Sequence, residues 1–364
     1  MITTKARRLV LWAAVLLAVP GILSIAFPAL SGASRIELRE LQNLPGFPRT
    51  LGDAYRWPGK FDAFTSDQFP FREGIVTASS RMFYQLGASI SPEVVIGKEG
   101  WLFLKRTVNV LAKARGIRTW PDAQVRKWVA TYIERRRILT EQNIRTLFVI
   151  VPNKHTIYPQ YLRSCDFPVG PTITDQLMAE FRRENVQGVI DLRGVLQERS
   201  QQERLYDKVD THWNDLGAYY GYLEVLRQIP DARRIPPEQI AWQHVRRQGD
   251  LSNLIGSPGL VRDTVVADIT PPGAVKHLNW DRRWRYEREP WSAVTDIASA
   301  PKALFLCDSF TNGRMYKFLE RSFSASVFKH HNGMQYDKRL ISEQNPGVVV
   351  YIVAERLIPG SLTN

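Results

Sequence analysis

Hydrophobic and polar positions change pattern twice along this chain. Lys5, Arg7 and Arg8 precede a run from Leu9 to Leu30 that holds no charged residue and is interrupted only by Pro20, Gly21, Ser24 and Pro28. As a helix that run spans roughly 33 Å, enough to cross a bilayer. Ser31-Gly32-Ala33-Ser34 offers a small-residue cleavage site, so a removed signal peptide is the rival reading. Signal cores, however, usually run only about 7–15 apolar residues. Residues 1–31 are therefore expected to be a signal anchor, with the basic flank in the cytoplasm and the rest exported. Residues 32–58 are rich in Leu, Pro, Gly and Arg and read as a linker, which leaves 59–364 as one domain.

Beyond the linker, Phe61 to Tyr84 mixes aromatic and charged residues in a way that suggests short helices. Two apolar runs flank Gly97-Lys98-Glu99-Gly100 and predict a β-hairpin over 94–103. From Asp122 to Asn143, Val125, Trp128, Val129, Tyr132 and Ile133 recur at helical spacing, with Asp122 placed to cap the first turn. A second amphipathic helix is expected over 173–183. Thr146 to Val151, Leu304 to Leu306 and Val348 to Val353 are continuous apolar runs, the signature of strands covered on both faces, and Gly188 to Leu192 reads as a further short strand. Strands alternating with helices predict an α/β fold with a mostly parallel sheet. Leu254 to Trp291, rich in Pro, Arg and Trp, has little periodicity and reads as loops or a small insertion.

Composition narrows the function classes. Hydrophobic residues make up 44% and charged residues 23%, which excludes disorder for most of the length. Two cysteines cannot form a disulfide scaffold, and no Cys/His cluster has zinc spacing. Whether Cys165 and Cys307 pair is left open. The formal charge is +13, and +10 remains once Lys5, Arg7 and Arg8 are set aside, so the exported part is itself basic. A basic protein suits a polyanion or a membrane surface. Nucleic acid is excluded because no helix-turn-helix, zinc-finger or RNP pattern is present and the basic residues are scattered.

Two segments carry candidate chemistry. In Leu304-Phe305-Leu306-Cys307-Asp308-Ser309-Phe310, an apolar strand ends in Asp-Ser and a helix to about Ser322 should follow. A serine at such a turn stands at the carboxyl edge of the sheet, where open α/β sheets build their sites. Helix N-cap serines are also common, so the residue alone decides little. In Asp210-Thr211-His212-Trp213, an extended backbone would project Asp210 and His212 to one side. The pair is then a base and its orienting carboxylate, able to activate the Ser309 hydroxyl. A surface loop is the plain alternative.

Order and content together carry a resemblance. Gly97-Lys98-Glu99-Gly100-Trp101-Leu102-Phe103, Val151 to Pro159, Asp210-Thr211-His212-Trp213-Asn214 and Asp308-Ser309-Phe310 resemble the membrane-anchored, SGNH-hydrolase-like alginate O-acetyltransferase family, the J/X type. Asp67 to Arg72 and Gly249-Asp250-Leu251 fit as well, and the resemblance runs from about Leu44 to Arg356. It implies a flavodoxin-like sheet with permuted motif order, acetylation of an exopolysaccharide in the bacterial periplasm, and Asp210, His212 and Ser309 as catalytic residues. No cofactor or metal is implied. A membrane-bound O-acyltransferase as acetyl source and the inner membrane are the implied partners, with an anionic polysaccharide as acceptor. Two departures stand out: Cys307 precedes Asp308 where SGNH enzymes carry Gly, and the chain is too short for the X-type carbohydrate-binding domain.

Around that core, Asn153, Lys154, Tyr158 and Arg356 are expected to bind substrate. The Ser309 backbone N–H is the leading oxyanion donor, with Asn153, Asn312 and Asn332 as side-chain candidates. Glu355 and Arg356 suggest an ion pair, and Tyr351 reads as core. His155, His330 and His331 read as loop or packing residues, and Trp280, Trp284, Trp291, Arg282, Arg283 and Arg285 as insertion residues that could also meet sugar rings and anions. An acetyl-esterase using the same three residues, and a non-catalytic anchored scaffold, remain as alternative functions.

Overall fold

The computed structural model describes residues 33–34, 39–68, 72–256, 262–278 and 289–362. They fall into two compact units, one of residues up to 92 with 252–256, the other of 93–251 with those from 262 on. The expected boundary at 58/59 is displaced, because helix α1 (Leu51–Asp67) runs straight across it. Thr50 caps that helix by accepting the Asp53 N–H at 3.1 Å, and Pro58 lies inside it. Stacking of Trp57 on Phe61 at 4.9 Å gives the Pro-containing turn an aromatic brace that composition alone conceals. Helix α2 (Arg72–Gln85) follows. The expected anchor over 1–31 lies outside the described residues. Among those described, no helix is long and apolar enough to cross a membrane.

The larger unit is built on one seven-stranded sheet. The predicted hairpin is present as β1 (Val94–Ile96) and β2 (Leu102–Leu104), paired antiparallel beside the sheet. The chain then runs through α3 (Asp122–Glu141), β3 (Arg145–Val151), α4 (Ile173–Arg183), β4 (Val189–Asp191), α5 (Asp215–Arg227), β5 (Ala241–Gln248), β6 (Arg262–Thr270), β7 (Lys276–Leu278), β8 (Trp291–Val294), β9 (Lys302–Cys307), β10 (Ala325–His330), α6 (Lys338–Gln344) and β11 (Val348–Ala354). The sheet order is β4-β3-β11-β9-β10-β8-β7. Its first five strands are parallel, and β8 and β7 add an antiparallel edge.

Period-two alternation explains why the central strands read as unbroken apolar runs. Val149, Val151, Phe305, Cys307, Val350 and Ile352 face one core. Phe148, Ile150, Leu304, Leu306, Val349 and Tyr351 face the other. Trp128 and Tyr132 of α3 and Phe181 of α4 close over Phe148, while Tyr219, Tyr222 and Val225 of α5 cover the opposite face. Each such side chain contributes about 1.5–3 kcal/mol when fully buried. Tyr351 is core, as expected. Asp122 does not cap α3: Pro121 occupies the cap without a side-chain bond, and Asp122 stands in the first turn near the positive end of the helix dipole.

The stretch read as loops holds more order than its sequence suggests. β5 and β6 pair as a separate antiparallel ribbon, and β7 and β8 extend the main sheet. β5 is largely exposed and β7 is the exposed outer strand of the sheet, where the hydrophobic run that marks a buried strand is not needed, while β8 is only four residues long. Trp291 is buried, stacked on Phe328 at 4.3 Å, so it is a packing residue. Trp280, Trp284, Arg282, Arg283 and Arg285 lie outside the described residues.

Candidate active site

Strand β9 delivers the nucleophile candidate. After Cys307, the wholly buried Asp308 accepts the Phe310 N–H at 3.0 Å through Oδ1 and the Ala354 N–H at 2.7 Å through Oδ2. The carboxylate thus ties the turn after β9 to the end of β11 and leaves the next side chain, Ser309, exposed. Trp213 Nε1 donates to the Phe310 carbonyl at 2.9 Å and fixes the turn from the other side. The helix beyond Ser309 contains a π-helical turn over Thr311–Met315 and ends at Leu319, short of the predicted Ser322. Cys307 is a core residue whose thiol burial pushes well above its ordinary pKa, which removes it as a nucleophile. It makes no disulfide with Cys165, which is exposed.

Asp210 and His212 meet at this turn, but not through an extended backbone. The chain bends, and Asp210 Oδ1 accepts both the His212 backbone N–H at 2.9 Å and its Nδ1–H at 2.8 Å. That pair of hydrogen bonds to one carboxylate oxygen is an Asx-type turn closed on its own side chain. With the proton on Nδ1, Nε2 is free to accept, and it lies 2.8 Å from Ser309 Oγ. Asn214 then caps α5, its Oδ1 accepting the N–H groups of Leu216 and Gly217, which anchors the pair at a rigid helix start.

A second carboxylate, which the sequence reading passed over, lies beside them. Asp250 Oδ1 accepts the Thr211 N–H at 2.7 Å, and Oδ2 stands 3.7 Å from His212 Nδ1. The Asp250 N–H donates to Asp210 Oδ2 at 3.3 Å. Ahead of it, a Cβ on Gly249 would sit 2.0 Å from the Val209 carbonyl oxygen, so only glycine allows this close approach. The Gly249-Asp250-Leu251 match was the one sequence signal for it. Ligand atoms of Asp210, His212 and Asp250 lie within 4.8 Å of one another, the spacing a metal ion would need. Both imidazole nitrogens are already engaged, so an ion there would have to displace Asp210 from Nδ1 or Ser309 from Nε2.

Charges follow from this geometry. Burial opposes a charged His212, but the Asp210 hydrogen bond and the negative charges of Asp210 and Asp250 outweigh it and raise its pKa above the ordinary value. For Asp210, burial works upward and the bonds from His212 win, bringing it down to about 2. Asp250 is raised, first by burial and then by repulsion from Asp210.

The four expected substrate residues divide. Lys154 is only 2% exposed, and its Nζ donates to the carbonyls of Asp207 (3.0 Å), Lys208 (3.0 Å) and Asp210 (2.6 Å). It holds the loop that carries Asp210 and is not a substrate contact. Burial lowers its pKa to about 8 against the pull of nearby aspartates, Asp210 first among them. Tyr158 is likewise core: its OH accepts the Leu205 N–H at 2.8 Å and its ring packs on Trp101. A residue just past a strand end can point into the protein as easily as out, and sequence does not distinguish the two.

Asn153 and Arg356 do meet at the site. Arg356 Nη1 donates to Asn153 Oδ1 at 3.0 Å, and its guanidinium lies over the Phe310 ring at 4.8 Å. Asn153 Nδ2 is buried with no protein partner. Glu355 accepts the Asn153 backbone N–H at 2.7 Å and the Thr156 hydroxyl, so Glu355 and Arg356 both hold Asn153 and do not pair with each other. Asn312 and Asn332 are engaged elsewhere, with Trp291 and His330. His155, expected in a loop, is buried against the Leu104 carbonyl and lowered by burial to about 3. His331 packs behind Asp308, its Nδ1 accepting the Gly333 and Met334 N–H groups.

A parallel α/β sheet that presents an exposed serine, hydrogen-bonded to a histidine and through it to an aspartate at its carboxyl edge, is the arrangement of hydrolase-like α/β folds, the SGNH-hydrolase-like class among them. Residues 94–333 match the family described as SGNH hydrolase-like domain, acetyltransferase AlgX, and the chain belongs to that family. Among curated relatives it is 24% identical over 183 residues to "Probable alginate O-acetylase AlgJ" of Pseudomonas aeruginosa, covering 49% of this chain and 44% of that protein. It is 25% identical over 228 residues to the protein of the same name in Pseudomonas syringae, covering 60% and 55%. The chain thus spans about half the length of these relatives. Bacillus cereus PatB1 has a similar fold, with a TM-score of 0.50 and 16% identity over 74% of this chain and 97% of that one. Its structure with a sulfonyl adduct gives a TM-score of 0.52 at 15% identity, covering 74% and 96%.

Proposed function

We propose that this protein is a periplasmic polysaccharide O-acetyltransferase that works through an acetyl-serine intermediate. The observation that carries the proposal is the unbroken hydrogen-bond chain from Asp210 Oδ1 through His212 to Ser309 Oγ, with both links at 2.8 Å. His212 Nε2 takes the hydroxyl proton as Ser309 Oγ attacks the acetyl carbonyl carbon of a donor ester. The oxyanion is met by the Ser309 N–H and by Asn153 Nδ2, which has no other partner. Collapse expels the donor's alkoxide, which receives the proton from His212, and leaves acetyl-Ser309. A sugar hydroxyl then gives its proton to Nε2, attacks the same carbonyl carbon and departs acetylated, and the returned proton restores Ser309.

The anchor expected over 1–31 would hold this site at the outer face of the inner membrane. Activated acetyl groups are made in the cytoplasm, so a membrane-bound O-acyltransferase is the donor partner in this reading. The formal charge of +10 outside the anchor's basic flank suits an anionic polymer. The test compares wild type with Ser309→Ala on a chromogenic acetyl ester, with and without an oligosaccharide acceptor. Ser309-dependent transfer to the sugar supports the proposal. Ser309-dependent release to water alone would make the protein an esterase, and turnover that ignores Ser309 would refute both.

A further inference from the structure

We infer that Asp250 is a second carboxylate for the His212 imidazolium, a positioning and charge-stabilising residue, so the base works against two aspartates and not one. The inference rests on the acyl-transfer reading for its purpose, but not for its geometry. Asp250 is clamped where it can act: Gly249 packs on the Val209 backbone with no room for a side chain, and the Leu251 N–H donates to the Val209 carbonyl at 3.1 Å. Thr211, which separates Asp210 from His212, gives Asp250 both its backbone N–H and its hydroxyl proton. One carboxylate oxygen is thereby turned toward Nδ1, at 3.7 Å against 2.8 Å for Asp210.

At those distances the two aspartates have different tasks. Asp210 is in direct hydrogen-bond contact and sets the tautomer. Asp250 is too far to share the proton, and acts through its charge and by holding the Thr211 peptide, whose two neighbours are the base and its partner. The charged groups facing this cluster are Asp210, Asp250, Lys154 from below the loop and Arg356 from beyond the last strand. Arg356 opposes the imidazolium, while Lys154 faces the two aspartates. Asp250 supplies negative charge that makes His212 a stronger base than it would be facing Arg356 with Asp210 alone. When Ser309 attacks, the proton reaching Nε2 is therefore better held.

The test is Asp250→Asn in the full chain, read first by NMR titration of His212 in a Ser309→Ala background, where no turnover is needed. The expected result is a fall of about one unit in the His212 pKa. In the Ser309 enzyme, the acidic limb of kcat/KM should move down by a similar amount and the plateau should drop about tenfold. Asp250→Glu, which keeps the charge, should restore most of the raised pKa. A His212 titration that does not move in a folded Asp250→Asn protein would overturn the inference, even if activity fell. Asp250→Ser is the second neutral variant, and loss of fold in both would show a purely structural clamp and overturn it equally. If the titration moves as expected but no variant turns over an acetyl ester, the acyl-transfer reading fails and the inference stands.

Discussion

Replacing Asn153 separates the two things it does. Its Oδ1 holds Arg356 Nη1 at 3.0 Å, while its Nδ2 has no protein partner. Asn153 follows the end of β3 and Ser309 the end of β9, and the two strands flank β11, so they stand about 10 Å apart at strand spacing. In the proposed mechanism the acetyl carbonyl on Ser309 lies across that gap with its oxygen toward Asn153. Asn153→Ala removes both roles. Losing the bond to a buried guanidinium should cost about 1.5–3 kcal/mol of stability. Losing an oxyanion donor should lower kcat about 10²–10³-fold, or about 2.7–4 kcal/mol of barrier. Asn153→Asp tells them apart, because it keeps an acceptor for Arg356 but turns the donor into an acceptor. That variant should melt near wild type and still lose at least about 10²-fold in the acetylation burst of a chromogenic ester, with KM little changed. A stable Asn153→Asp protein that retains more than about a third of the wild-type burst rate would refute the oxyanion role and leave Asn153 as a strut for Arg356.

The pH profile should carry the mark of His212. It must be neutral to accept the Ser309 proton, and its pKa lies above the ordinary value, so activity should fall on acidification with a midpoint above about 6.5. Asp210, brought down to about 2, stays ionised through that range and adds no limb of its own; a midpoint below 6 in a kcat/KM profile would contradict the pairing. Gly249→Ala drives a Cβ into backbone atoms at 2.0 Å and 2.3 Å, and should lower stability by about 2–4 kcal/mol and activity with it. Thermal melts and ester turnover check both effects, and a melting point equal to wild type would mean that the loop yields without cost.

Much of the sheet was legible because its central strands are apolar on both sides. The runs at 146–151, 304–306 and 348–353 announced β3, β9 and β11 to within a residue or two. The strand Ala325–His330 escaped because Val327 and Phe328 are its only large apolar residues, flanked by the buried Ser326 and the partly exposed Lys329 and His330, and so short an apolar pair is easily read as loop. In the site, Asp210, His212 and Ser309 could be singled out because the family resemblance set the two motifs side by side, and the structure brings the three side chains together. Lys154 and Tyr158 were misplaced because polarity near a strand end does not say which way a side chain turns. Asp250 was overlooked because its effect comes from folding back forty residues onto Thr211, a closure that only Gly249 hints at.

Among the described strands, the one latest in the chain is an inner strand of the sheet. β11 lies between β3 and β9, some two hundred residues separate it from β3, and every one of its seven side chains is buried. Until it emerges, two hydrogen-bonding edges and both halves of the core stay open, a state of high contact order that folds slowly and invites chaperone attention. The Asp308 carboxylate that shapes the nucleophile turn also waits for the Ala354 N–H. In the proposed mechanism, a nascent chain stalled before β11 would lack the bond that steadies the turn carrying Ser309.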